Sequence, residues 1–275
     1  MSDKKSEKVK RPERLTVISK TLAEHPGQLM PFSYFTQILG CAKSSLSEDL
    51  ALLRTIYDKH HLGRIETIVG ANGGIIYQPY FNAQKAEELA NHLCNLIAQP
   101  ERILPGGYIY LTDLIGNPEL MHQVGLFFAE RYRETEPEAV LTIETKGIPI
   151  GLMTARALNL PLVIVRSDSR ISEGTSIGIS YLSETQKRLV TMSLPKRSFT
   201  KNTRILFIDD FLRGGGTAKG ILDLVNEFES NCVGMGFLVD IAGGYKAVHD
   251  YTALLTLEYI DVEHRKVAIH KGNWQ

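Results

Sequence analysis

No apolar run in the chain approaches the length of a membrane span, which excludes a helical membrane protein. Cysteine is scarce. Cys41, Cys94 and Cys232 are odd in number and far apart, so they form neither a disulfide framework nor a zinc-binding spacing. The eight histidines form no ligand cluster, and His60, His61 and His264 read as surface residues, so no metal site is expected. Net charge is zero, which removes a strongly basic or acidic character for the chain as a whole. The first fourteen residues are polar and basic and lack the apolar core of a secretory signal, so a cytoplasmic location is expected. Internal repeats and low-complexity segments are also missing. What remains is an ordinary globular composition, and 275 residues are enough for two domains.

The balanced charge is unevenly placed. Residues 1–80 carry eleven Lys/Arg against eight Asp/Glu. Between Lys4 and Lys20 the excess is sharper, with Lys4, Lys5, Lys8, Lys10, Arg11, Arg14 and Lys20 against Glu7 and Glu13. Such an arm can neutralise phosphates on a nucleic acid, although a short basic terminus is often only a solvated tail. Helical spacing follows at Leu15, Ile18 and Leu22, ending before Pro26-Gly27. Pro31 can open a second short helix through Phe35, Ile38 and Leu39, stopped near Gly40. In a third helix, Ser45 and Glu48 fit a capping box, and Leu46, Leu50, Leu53 and Tyr57 share one face. Its front presents Lys43, Ser44, Ser45 and Ser47, small polar and basic groups able to approach a groove edge and phosphates. Two strands, 64–69 and 75–77, flank a turn whose Asn72-Gly73 pair is a strong hairpin signal. Three short helices and a hairpin describe a winged helix-turn-helix. Lys10, Arg11, Lys43, Ser44, Ser45, Ser47 and Arg64 form the candidate DNA-binding set. A helical cap or dimerisation module is the competing reading.

Residues 79–82 read as a boundary, dividing the chain into domains 1–78 and 79–275. An amphipathic helix is expected over 83–98, a strand over 106–112 and a helix over 121–133. Then comes an α/β pattern: strand 139–143, loop, helix 148–158, strand 162–165. The strands 205–208 and 233–239, with a helix over 218–229, repeat it, which implies a mainly parallel sheet. Between Asp168 and Lys201, two strand-like runs, 176–182 and 188–194, surround Ser183-Glu-Thr-Gln186. Arg170, Lys187, Arg188, Lys196 and Arg197 in this region could extend a nucleic-acid surface. The stretch 264–271, before Trp274, reads as a packed terminal strand.

The most specific feature is Ile205-Leu-Phe-Ile-Asp-Asp-Phe-Leu-Arg-Gly-Gly-Gly-Thr217. A buried strand delivers Asp209 and Asp210 to its carboxyl end, where ligands bind in open α/β sheets. Gly214, Gly215, Gly216 and Thr217 then enter a helix, offering backbone N–H groups and a positive dipole end to a phosphate. Two carboxylates can accept hydrogen bonds from vicinal hydroxyls. A phosphate beside a vicinal diol is a ribose 5-phosphate. Glycine triplets and solvated acidic pairs are each common alone; the ordered set is far more selective. Thr145-Lys146-Gly147 lies at the end of another strand, where glycine permits close backbone approach.

These residues resemble the phosphoribosyl pyrophosphate (PRPP) motif of type I phosphoribosyltransferases. The resemblance implies that Asp209 and Asp210 bind the ribose hydroxyls, that Arg213 to Thr217 bind the 5′-phosphate, and that Thr145, Lys146 and Gly147 form the diphosphate loop. It also implies that the 176–194 hairpin closes over PRPP. Arg213 is a departure, since several purine enzymes carry an aspartate there as proton acceptor and others an alanine. A guanidinium cannot serve as a base but adds charge-assisted bonds to phosphate. With the winged helix, the chain resembles the purine operon regulators of Gram-positive bacteria. That resemblance rests on 42–49, 145–149, 191–194 and 208–217. It implies a homodimer without transferase activity that binds double-stranded operator DNA, with PRPP as the effector that weakens binding. Guanine tetraphosphate nucleotides compete in some members, magnesium can accompany PRPP, and some members activate instead of repressing. Tyr108 and Phe211 would flank a purine ring. No catalytic residue is assigned. Two alternatives stay open: an active xanthine-type phosphoribosyltransferase, and an RNA-binding attenuator.

Overall fold

The computed structural model describes residues 9–70, 73–167, 174–183 and 188–274, without the side chains of 182, 183 and 188. Lys4, Lys5, Lys8, Asn72, Asp168, Arg170, residues 184–186 and Lys187 lie outside the described residues. The chain divides into two compact units, Met1–Phe81 with Ala157–Asn159, and Asn82–Arg156 with Leu160–Gln275.

In the N-terminal unit α1 (Arg11–Glu24), β1 (Met30–Pro31), α2 (Phe32–Leu39) and α3 (Lys43–Lys59) precede β2 (Arg64–Ile68) and β3 (Gly74–Gln78). The strands form an antiparallel sheet in the order β1-β3-β2. This is the layout of a winged helix. Its core collects the periodic apolar positions of the sequence: Ile18 and Leu22 of α1, Phe35 and Leu39 of α2, and Leu46, Leu50, Leu53 and Tyr57 of α3, closed by Ile65 and Ile75. Gly40 ends α2 at φ 55°, a left-handed conformation that glycine adopts at little cost. Pro31 is the cap of α2 and not its first helical residue.

The capping box expected at Ser45 and Glu48 is absent. The N-terminal cap of α3 is Ala42, whose carbonyl accepts from the Leu46 N–H at 3.1 Å, so Ser45 already lies inside the first turn. Leu46 and Asp49, three apart on one face of the helix, are both fully buried. Asp49 is held from α1: Arg14 Nε donates to it at 2.7 Å and Arg11 Nε at 3.0 Å. The carboxylate in turn pushes the Arg14 guanidinium above its ordinary pKa. Arg54 ties α3 to the hairpin by donating to the Ile65 carbonyl at 3.0 Å and to Thr67.

The C-terminal unit runs α4 (Ala83–Ile97), β4 (Ile103–Leu104), β5 (Tyr108–Ile109), α5 (Thr112–Ile115), α6 (Pro118–Tyr132), β6 (Ala139–Ile143), α7 (Gly147–Leu158) and β7 (Leu162–Val165). It continues through β8 (Ser176–Ser183), β9 (Arg188–Pro195), β10 (Arg204–Leu212), α8 (Gly216–Glu227), β11 (Asn231–Ile241), β12 (Thr252–Asp261) and β13 (Lys266–Lys271). Among the described residues the main sheet has the order β13-β12-β11-β10-β6-β7, parallel except for β13. Side chains alternate across β10. Ile205 and Phe207 join the core under α8 and the β8–β9 hairpin, where Met192, Leu194 and Ile221 are buried. Leu206 and Ile208 face Tyr132 and Phe128 of α6, beside Gly234 and Gly236, where any side chain would collide with these rings.

Three expectations change. The strand expected over 106–112 is only Tyr108–Ile109, paired with Ile103–Leu104 outside the main sheet. Gly106 and Gly107, at φ 83° and 74°, make a turn instead, and Thr112 already begins α5. The strand read as ending at Ile208 continues to Leu212, because the long parallel neighbour β11 pairs Phe211 with Val239 and Leu212 with Asp240. That pairing overrides the poor strand preference of aspartate. The helix after the glycines runs from Gly216 to Glu227, two residues earlier than expected at each end. The strands β1, β4 and β12 and the short helix α5 were not anticipated.

Asp49→Ala is expected to destabilise the N-terminal unit by roughly 1.5–3 kcal/mol, the range for hydrogen bonds to a buried charged group. Denaturant unfolding of the full chain should show an earlier first transition, while the C-terminal unit unfolds as before.

Candidate functional site

β6 leads through α7 to β7 on one side of the sheet, whereas β10 leads through α8 to β11 on the other. Between the two is a topological switch point, where the loops after adjacent parallel strands diverge and leave a crevice. Both sequence-predicted loops lie there. A cavity of about 230 Å³ is lined by Lys146, Asp209, Phe211, the whole turn Arg213–Thr217 and Tyr108. Phe237, Ile241, Leu257 and Ile260 add apolar lining. Asp210 is half-buried and does not line the cavity.

The approach of the two loops is close. A Cβ on Gly147 would fall 2.4 Å from Thr142 Oγ1 and 2.7 Å from Asp209 Oδ1, so only glycine fits at the start of α7. The Glu144 carboxylate anchors the same loop, accepting from the Ser167 N–H at 2.8 Å and the Ser167 hydroxyl at 2.7 Å. Asp209 is 7 % exposed. Burial, and then the neighbouring Asp210 charge, hold its carboxyl well above the usual carboxylate range. The Asp210 N–H donates to Asp209 Oδ1 at 2.8 Å and fixes its orientation.

The phosphate end is made of backbone. Gly215, at φ 87°, caps α8, and the first intrahelical bond runs from the Lys219 N–H to the Gly215 carbonyl at 2.8 Å. The N–H groups of Gly216, Thr217 and Ala218 precede that bond and have no carbonyl partner within the helix. An anion of phosphate size meets donors and the positive dipole end there, with the exposed Arg213 as an adjacent cation. Sequence reasoning missed the support behind this turn. Lys246 donates to the Arg213 carbonyl, and the Ala247 N–H donates to the Gly214 carbonyl at 2.8 Å. Nothing in the sequence near Lys246 signals that role, since it is 33 residues away from Arg213.

In the N-terminal unit, Lys43, Ser44 and Ser47 are exposed at the start of α3 and Ser45 is half-buried. Ser47 Oγ donates to the Lys43 carbonyl at 3.0 Å. The Lys43 ammonium lies 5.3 Å from the centre of the Phe32 ring and shares a depression with Thr67, Ile68, Val69 and Gly70 of the hairpin. The helix front and the hairpin end therefore form one face. Arg64 is not on it. It begins β2, about 13 Å of strand from Ile68, and stacks over Tyr80 near the carboxyl end of α3. Lys10 is exposed at the cap of α1, and Arg11, half-exposed, is engaged with Asp49.

Among known proteins, the family described as bacterial purine repressor, N-terminal, matches residues 10–79, and the phosphoribosyl transferase domain family matches residues 112–269. The chain is 41 % identical over 268 residues to the purine biosynthesis transcriptional repressor PurR of Bacillus subtilis, covering 97 % of this chain and 94 % of that protein. It is 36 % identical over 268 residues to the purine biosynthesis transcriptional activator PurR of Lactococcus lactis, covering 96 % and 98 %. A xanthine phosphoribosyltransferase of Oenococcus oeni is 34 % identical over 125 residues, covering 45 % of this chain and 61 % of that enzyme. A solved adenine phosphoribosyltransferase from Thermoanaerobacter pseudethanolicus superposes with a TM-score of 0.51 at 16 % identity, covering 60 % of this chain and 98 % of that one.

Because the folded state raises the Asp209 pKa, it holds this proton more tightly than the unfolded chain does. The group therefore costs stability progressively as pH rises above the ordinary carboxylate value of 3.8. Asp209→Asn keeps an acceptor for the Asp210 N–H and removes that cost. Its melting temperature is expected to exceed wild type near neutral pH and to converge with it near pH 4. A gap that persists at pH 4 would reject the assignment.

Proposed function

The chain belongs to the bacterial purine repressor family of purine biosynthesis transcriptional regulators, and from that premise we propose that PRPP is its effector. In this reading the N-terminal unit binds double-stranded operator DNA, the chain works as a homodimer, and PRPP in the C-terminal cavity weakens DNA binding. The observation that carries the reading is the cavity itself: a backbone anion site, a buried carboxylate and a lysine converge on one space. The 5′-phosphate sits on Gly214–Thr217, the ribose hydroxyls on Asp209 with Asp210 beside it, and the diphosphate at Lys146. A magnesium ion would arrive bound to the diphosphate oxygens, as magnesium commonly does. Tyr108 and Phe211 give the cavity aromatic faces, which suits competition by a guanine tetraphosphate.

Coupling follows from differential affinity. PRPP lowers DNA affinity only as far as it prefers the form that binds DNA poorly. Transferase chemistry is not part of the proposal. Arg213 stands where a base could act, and a guanidinium cannot serve as one. The likeness to a xanthine phosphoribosyltransferase favours one competing reading, an active enzyme. Pyrophosphate release from PRPP with xanthine as acceptor would establish that reading; no release with any common purine base is expected.

Asp209→Ala and Asp210→Ala are expected to bind operator DNA normally and to lose relief by PRPP, measured by gel shift with and without magnesium. Normal relief in either variant would remove that carboxylate from the site. Lys43→Ala is expected to weaken DNA binding and to reduce the salt slope by about one phosphate contact. An unchanged slope would take Lys43 out of the phosphate contacts.

A further inference from the structure

The proposed phosphate turn does not hold its shape alone. β11 ends in Asp240 and Ile241, and the loop after it brings Lys246 back beneath the turn. The Lys246 ammonium has three acceptors: Asp240 Oδ1 at 2.6 Å, the Ile241 carbonyl at 2.6 Å, and the Arg213 carbonyl. Three acceptors use the full donor capacity of an ammonium. Asp240 is itself held by the Tyr251 hydroxyl, which donates to Oδ2 at 3.0 Å. Burial and the Asp240 charge push the Tyr251 hydroxyl up to about 12, so it remains a donor throughout the physiological range. The Lys246 and Asp240 side chains are only 14 % and 13 % exposed, and Lys246 does not line the cavity. A cation of this kind is unavailable to a ligand, and it requires another explanation.

The peptide geometry supplies one. In a trans peptide the carbonyl and the following N–H point in opposite directions. The Arg213 carbonyl is pulled down by Lys246, and the Gly214 carbonyl is pulled down by the Ala247 N–H. The N–H groups on the other side of those two peptides belong to Gly214 and Gly215, and both residues line the cavity. Pinning two successive carbonyls from behind aims two successive amides forward. Gly215 is also confined from behind, since a Cβ there would lie 3.2 Å from the Ala247 nitrogen.

We propose that Lys246 is a positioning residue: clamped by Asp240 and Tyr251, it presets the Arg213–Gly215 backbone as an anion cradle without touching the ligand. This rests on the reading of the cavity as a sugar-phosphate site. The benefit is preorganisation. A glycine-rich turn loses more conformational entropy on ordering than any other sequence, and a cradle ordered in advance does not charge that loss to binding. The clamp acts on the 5′-phosphate end and leaves the Lys146–Gly147 loop alone.

The test is calorimetric titration of the full chain with PRPP, ribose 5-phosphate and inorganic pyrophosphate. Lys246→Met removes the ammonium at similar length, and the pair Lys246→Met with Asp240→Asn removes both charges so that no buried carboxylate is left unmatched. Affinity for ribose 5-phosphate is expected to fall at least tenfold in both variants, with pyrophosphate affinity within twofold of wild type. Tyr251→Phe should give a smaller loss of the same selectivity. Unchanged ribose 5-phosphate affinity in the paired variant overturns the proposal. Equal losses for both ligands overturn it as well, since they mark general damage to the cavity. If wild type binds neither PRPP nor ribose 5-phosphate, the sugar-phosphate reading itself fails, and this inference fails with it.

Discussion

The contact on which the C-terminal unit depends is the meeting of Gly147 and Asp209 across adjacent parallel strands. β6 and β10 pair side by side, and their following helices leave to opposite faces of the sheet. Their loops must therefore start from the same place and separate. At the point of separation a side chain larger than hydrogen on residue 147 would collide with the Asp209 carboxylate and the Thr142 hydroxyl. That closeness buries Asp209, and burial raises its carboxyl well above the usual carboxylate range. A buried carboxyl group with one fixed hydrogen bond is an unfavourable element for the empty fold. It is the kind of local cost that binding sites carry and that the surrounding core must offset.

Two parts of the cavity are built on different principles. The apolar lining is made of side chains from β11 and β12, Phe237, Ile241, Leu257 and Ile260, and offers area and shape. The other part is made of main chain. Its donors are amides of a glycine turn and a helix start, which carry no charge to be neutralised and no side-chain rotamer to be frozen. Such donors depend on what holds the backbone, and here that is the loop after β11, through Lys246 and Ala247. The N-terminal unit uses a related economy. Its polar helix front is free to meet a partner because the fold's own electrostatic requirement, a buried Asp49, is met by arginines from α1.

Most of what identifies this chain was legible locally. The winged-helix unit is readable because its core positions recur with helical period and because Gly40 marks a helix end through its own conformational freedom. The motif at 205–217 is legible for a similar reason: strand, carboxylates, glycines and helix are contiguous in the sequence. The departures are of two kinds. The capping box at Ser45 failed because the chain is already helical from Lys43, with Ala42 at the cap. The strand end at Ile208 failed because β11, not the aspartates, decides how far β10 is paired.

The sequence by itself determined the elements whose signals are short in range: helical faces, the glycine turn and the acidic pair. Only tertiary structure decided which strands became neighbours, and with that the meeting of residue 147 with residue 209, the burial of one aspartate and the partial exposure of the next, and the lysine at 246 beneath a turn at 213. The division has a physical origin. Local conformation is governed by sterics and hydrogen bonds among residues a few positions apart, which a linear string displays. Strand pairing and burial are collective outcomes of packing one sheet between two helical layers. No single segment carries the information about its partner.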